Sequence, residues 1–138
     1  MRVVLDANVW VSALIQAGPS QRIVMHWLAG SNHFEVVICP MLINEITDVL
    51  TRRPRMRKWV NIDIAQRLIE TIQVLADVVP NPQVIEPTTR DVNDDYLVAL
   101  ARENSADYIV TGDKDLLECL EQQSPVITPL LFEKLIEK

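Results

Sequence analysis

Four acids separated by long stretches of chain, Asp6, Glu45, Asp95 and Asp113, are the residues of this sequence best placed to do chemistry. As a set they offer hard carboxylate oxygens with no His or Cys among them, which suits Mg2+ or Mn2+ rather than zinc. Carboxylates crowded at one place repel and raise one another's pKa unless a cation sits among them. A cation so held lowers the pKa of bound water and readies it for hydrolysis. Singly, each acid also has a structural reading. Asp94 or Asp95 at a helix start gains about 0.3–1 kcal/mol from the macrodipole. Asp113 after Gly112 suits a turn, Asp115 suits a helix cap, and Glu45 suits a solvated helix flank. Only convergence at one edge turns four ordinary acids into a site.

The elements that would bring them together are legible as strands alternating with helices. Val3-Val4-Leu5 is a β-branched run ending at Asp6. Val9, Trp10, Ala13 and Leu14 then mark one helical face, broken at Gly18-Pro19. Ser20 is expected to cap a helix to about Leu28, with Ile23, Val24, Trp27 and Leu28 inward and Gly30 as its stop. Phe34 to Cys39 reads as a second strand closed by Pro40. Met41 to about Thr51 reads as a helix with Leu42, Ile46, Val49 and Leu50 on one face and Glu45 beside it. A further helix is expected from Ile62 to Leu75 through Ile64, Leu68, Ile72 and Leu75, then a short strand at Asp77-Val78-Val79. The run from Pro80 to Asp91 has no period and reads as an ordered surface connection. Asn93 to Glu103 is helical, Tyr108 to Thr111 a strand, Leu116 to Leu120 a short helix and Val126-Ile127 a last strand. Thr128-Pro129 supplies the cap and first position of a terminal helix. This alternation predicts an α/β fold: a single three-layer α/β/α domain over residues 1–138 with a central, mainly parallel sheet. In such a sheet the strand ends and following helix starts share one edge, which makes Asp6 and Asp113 neighbours.

Composition narrows the field further. A hydrophobic fraction of 49% and a charged fraction of 23% in 138 residues are those of a globular domain. No stretch reaches the roughly 18 apolar residues of a membrane span, and the N-terminus lacks the pattern of a secretory leader. Cys39 and Cys119 lie in apolar segments without ligand spacing and read as reduced thiols, so a soluble, cytoplasmic protein is expected. His26 and His33 read as surface or helix-end residues. The formal net charge of −6 argues against a nucleic-acid partner only until the charges are located. Arg52, Arg53, Arg55, Arg57 and Lys58 put five of the thirteen basic residues in a seven-residue window, followed by Trp59. That segment could hold phosphates while Trp59 stacks on a base, or it could be a solvated helix end with a core Trp.

Four segments in order, V-V-L-D-A-N-V-W-V-S-A-L, the Glu of L-I-N-E-I, D-V-N-D-D-Y-L-V-A-L-A and A-D-Y-I-V-T-G-D-K-D-L-L, resemble the successive motifs of PIN-domain ribonucleases. The match is strongest to the VapC-like branch, the toxin components of bacterial toxin–antitoxin pairs. The resemblance spans nearly the whole chain and implies a parallel sheet between helices. It also implies an acidic cluster that binds Mg2+ or Mn2+ to cut RNA, a cognate antitoxin as partner, and a homo-oligomer such as a dimer. Asp6, Glu45, Asp95 and Asp113 fall on the family's acidic quartet. Asn8, Thr111 and Asp115 fall on places that orient the acids or position water, and Asp94 flanks the third acid. Two positions depart from the pattern: Ala7 replaces a frequent Thr, and Val92-Asn93 replaces a frequent Pro-acid pair. The second leaves Asp94 and Asp95 in competition, with the eighteen-residue step to Asp113 favouring Asp95.

Two other functions are compatible with parts of the pattern. An aspartyl-phosphate hydrolase would use Asp6 and Gly112-Asp113-Lys114-Asp115, but it wants a second Asp where Asn8 stands and a Lys between Lys58 and Lys114, where none occurs. The other is a non-catalytic domain of the same fold that binds RNA or a protein, against which the presence of all four acids argues; for a toxin, the Trp10, Trp27 and Trp59 helices are candidate surfaces for the antitoxin or for self-association. A dinucleotide site is excluded, since no G-x-G-x-x-G follows the first strand.

Overall fold

The computed structural model describes residues 1–30, 33–87, 94–118 and 125–137, the side chain of Asp115 excepted. Val92, Asn93, Cys119 and the expected end of the short helix at Leu120 lie outside those residues. The elements are β1 (Arg2–Leu5), α1 (Ala7–Ile15), α2 (Pro19–Leu28), β2 (Glu35–Ile38), α3 (Pro40–Thr47), α4 (Ile62–Leu75), β3 (Asp77–Val78), α5 (Asp95–Glu103), β4 (Tyr108–Val110), α6 (Lys114–Leu117), β5 (Val126–Ile127) and α7 (Pro129–Ile136).

The five strands lie in the order β3-β2-β1-β4-β5, and every pair is parallel. Val3, Val4 and Leu5 are fully buried, as expected for a central parallel strand covered on both faces. From β1 the chain steps through β2 to β3 in one direction, then returns past β1 to β4 and β5. Right-handed crossovers therefore put α1 to α4 on one face and α5 and α6 on the other. The packing agrees: α1 touches α2 and α3, α3 touches α4, and α5 lies on β1 and β4. The strand order reverses between β1 and β4, and α/β sheets open their ligand crevice at such a reversal, outside the carboxyl ends of the strands.

Prolines place the helix starts differently from the sequence pattern. Gly18 rather than Ser20 precedes α2, with Pro19 at its first turn, and Pro40 begins α3 instead of only closing β2. Proline suits that position because its missing N–H would have had no intrahelical partner. The helix expected from Met41 to Thr51 is α only to Thr47 and continues as a wide π-type segment, Asp48–Arg52, before Pro54 breaks it. Helix α4 has the expected bounds, but its inward face is Ala65, Leu68, Ile69 and Ile72, and Ile64 is 54% exposed. Trp10 and Trp27 are core residues packed edge-to-face at 5.4 Å, so their indoles are no partner surface. Trp59 is the converse, 64% exposed beside the basic run instead of in the core.

Candidate metal centre

Register brings the first and fourth acids together. Leu5 pairs with Val110, so the next residues, Asp6 and Thr111, emerge side by side at the point where the strand order reverses. The Asp6 amide donates to the Val110 carbonyl at 3.0 Å, and the Thr111 amide donates to that of Ile127 at 3.0 Å. Both residues are thereby fixed by backbone before their side chains are considered.

Those side chains form one network. Asp6 caps α1, its Oδ1 accepting from the Ala7 amide at 2.6 Å. Its Oδ2 accepts from the Thr111 hydroxyl at 2.7 Å and from Asn8 Nδ2 at 3.1 Å. Asn8 Nδ2 also reaches Thr111 Oγ1 at 3.1 Å, and Asn8 Oδ1 accepts from the Gly112 amide at 3.3 Å. The Asp113 amide donates to Thr111 Oγ1 at 3.0 Å. Thr111 thus receives two hydrogens and gives its own to Asp6, while Asn8 ties the start of α1 to the turn that carries Asp113.

Asp6 is only 4% exposed, and its carboxyl is pushed up to about 6. Burial is the largest cause, and the charges of Glu45 and Asp113 add to it against the hydrogen bonds from Thr111 and Ala7. Glu45 therefore reaches the rim, carried there by α3 packing against α1. It is half-buried, and its Oε2 accepts a hydrogen bond from the Tyr96 hydroxyl on α5. Burial, followed by the Glu45 carboxylate, raises the phenol's pKa, so Tyr96 is a donor at neutral pH. Asp94 and Asp95 are both buried at the start of α5, adjoining Tyr96.

Asp6, Glu45 and Asp113 come close enough for the last two to act on the charge of the first, whereas Asp95 is placed only as a buried residue at the start of α5, and among the described residues no three acid, His or Cys side chains form a ready ion cage. The donor set is nevertheless what a hard divalent cation requires. It is all oxygen, and among the described residues no Lys or Arg pairs with Asp6 or Glu45. Beside it opens a cleft of about 450 Å3 lined by Asn8, Ser12, Ser20, Gly112, Asp113 and Pro129.

Arg52, Arg53, Arg55, Arg57 and Lys58 occupy a different place, the segment joining α3 to α4, and all five are exposed. Arg53 lies 3.6 Å from Asp48. His26 and His33 are exposed and face each other edge-on at 5.2 Å. Tyr96, which donates to Glu45, was not singled out by the sequence pattern.

A family model described as PIN domain matches residues 2–115. An uncharacterized protein of Methanocaldococcus jannaschii is 29% identical over 122 residues, covering 88% of this chain and 77% of its own length. Among solved structures, VapBC2 from Rickettsia felis bound to a DNA fragment from their promoter is similar, with TM-score 0.60 and 13% identity over 93% of this chain and 98% of that one. VapC20 of Mycobacterium tuberculosis, a sarcin-ricin loop cleaving toxin, is similar with TM-score 0.53 and 16% identity, over 86% of this chain and 97% of that one. At such identities these two likenesses show a common fold.

Proposed function

The chain belongs to the PIN domain family, and from that premise we propose that it is a metal-dependent endoribonuclease acting in the cytoplasm as the toxin of a toxin–antitoxin pair. One observation carries the reading: Asp6 is buried at the reversal of strand order with Glu45 and Asp113 raising its pKa and no basic side chain pairing with it among the described residues. Such an arrangement is costly unless a cation joins it.

Asp6, Glu45, Asp95 and Asp113 would hold Mg2+ or Mn2+, with Asp94 and Asp115 flanking them. Bound there, the ion supplies water of lowered pKa and neutralises charge on the leaving oxygen. The chain does the rest. Asn8 and Thr111 aim the Asp6 carboxylate, and the α1 N-terminus supports its charge. The exposed Arg52–Lys58 run holds phosphates flanking the scissile bond, and exposed Trp59 offers a face for a base. The toxin role and an antitoxin partner are supported by the similarity to VapC20 and to the VapBC2 assembly.

The test is RNA cleavage by the purified chain with Mg2+ or Mn2+. Asp6→Asn is expected to lose at least about a hundredfold in rate while remaining folded, since even groups that only orient ligands are worth 10–100-fold. Wild-type cleavage by Asp6→Asn would refute the assignment. Turnover of a chromogenic phosphate ester would favour the phosphohydrolase instead.

A further inference from the structure

Glu45 differs from Asp6 in how it is held. Asp6 follows a central strand and receives hydrogen bonds from Ala7, Asn8 and Thr111. Glu45 rides on a helix flank, has one more rotatable bond, and is repelled by Asp6, which favours swinging it out to solvent. Among the described residues, the sole hydrogen bond to its carboxylate comes from Tyr96. Tyr96 is 6% exposed on α5, whose residues from Asp95 to Ala101 are all buried. Its ring is locked by that packing, and it has only two side-chain torsions.

We infer that Tyr96 is the positioning residue of the metal centre: its hydroxyl ties down Glu45 Oε2 so that Oε1 stays available to a divalent cation. The inference rests on the metal reading above and deepens it. It joins α5, from the far face of the sheet, to α3, so the fourth-strand side of the site sets the aim of an acid delivered by the second-strand side. Neither the fold nor the four acids alone requires this contact, because a helix-borne Glu can present its carboxylate in several rotamers.

Binding of Mn2+ alone to the full chain, followed by calorimetry or by the spin signal of the free ion, tests the inference without substrate. Tyr96→Phe keeps the buried volume and removes only the hydroxyl, and about tenfold weaker Mn2+ binding is expected. The effect must act through Glu45, so a second variant, Glu45→Asp, withdraws the carboxylate from the hydroxyl while leaving α5 untouched. Glu45→Asp should itself weaken binding, and adding Tyr96→Phe to it should weaken binding no further. A general structural role would instead give the product of the two losses and would overturn the inference, as would wild-type affinity in Tyr96→Phe. If Tyr96→Phe does not fold, Tyr96→Met removes the same hydroxyl: wild-type Mn2+ affinity there overturns the inference, and a loss that disappears in the Glu45→Asp background supports it. Absence of Mn2+ binding by the wild-type chain overturns the metal reading and this inference together, whereas binding that is indifferent to Tyr96 overturns only the latter.

Discussion

Burying an ionised Asp6 at 4% exposure is expensive even with three hydrogen bonds to it, and the cost appears as a carboxyl raised from the ordinary 3.8 to about 6. The folded chain therefore keeps this proton at pH values where the unfolded chain has lost it. Stability from this group is full below about pH 4, falls as pH rises towards about 6, and above that is lower by about 3 kcal/mol. For a chain of this size that is roughly 10 °C in melting temperature. Asp6→Asn has no proton to lose and is expected to show that much less decline between pH 4 and pH 7.5, as read by circular dichroism without metal. An equal decline in both proteins would assign it to other groups. Asp6 and Asp113 were legible in the sequence because a strand end and a following turn are local patterns that a parallel sheet must bring to one edge. Tyr96 was not. A phenol in an apolar helix face announces that it needs a polar partner, but that partner lies 51 residues upstream and only packing identifies it.

Among the elements, legibility followed the strength of the local signal. The bounds of α4 were readable because Asn61 caps it, its Oδ1 accepting from Asp63 and Ile64 amides at 2.8 and 3.3 Å, and because its buried positions recur with the helical period. The α3 end was less readable, since the apolar spacing persists through Leu50 while the backbone widens into a π-type segment. That segment and the single-turn helix Pro54–Lys58 turn the basic run outward, which composition alone did not show. Arg53 is engaged by Asp48, whereas among the described residues no acid pairs with Arg55 or Arg57. These two are the better probes of phosphate binding. Replacing both by Ala is expected to weaken RNA binding and to lower the slope of log affinity against log salt by about 0.7 per lost contact. The measurement is a titration of labelled RNA at several salt concentrations with the Asp6→Asn chain and a chelator, so that cleavage does not compete with binding. An unchanged slope would remove the segment from the binding surface.

Across the whole molecule the acids at the two ends of the strands are partnered differently. At the edge where strands begin, Arg2 bonds Glu35 at 2.6 Å and Asp77 at 2.9 Å with its guanidinium, and its amide donates to Asp107 at 2.8 Å. The cation ties β1 to the starts of β2 and β3, and the amide of the same residue ties it to the residue before β4. At the edge where strands end, Glu45 and Asp113 both act on buried Asp6 as like charges. No local pattern could reveal this contrast, because it depends on strand order. It predicts different responses to metal. A divalent cation that binds only the native state at a hundredfold excess over its dissociation constant adds about 2.7 kcal/mol, or roughly 10 °C, and a chelator should reverse it. Arg2→Ala, which loosens the partly exposed opposite edge, is expected to lower the metal-free transition by about 1 kcal/mol and to leave the Mn2+ increment intact. Asp6→Asn should do the reverse, abolishing the increment while the metal-free fold persists. Scanning fluorimetry of the three proteins with and without Mn2+ checks both outcomes, and an increment retained in Asp6→Asn would place the cation elsewhere.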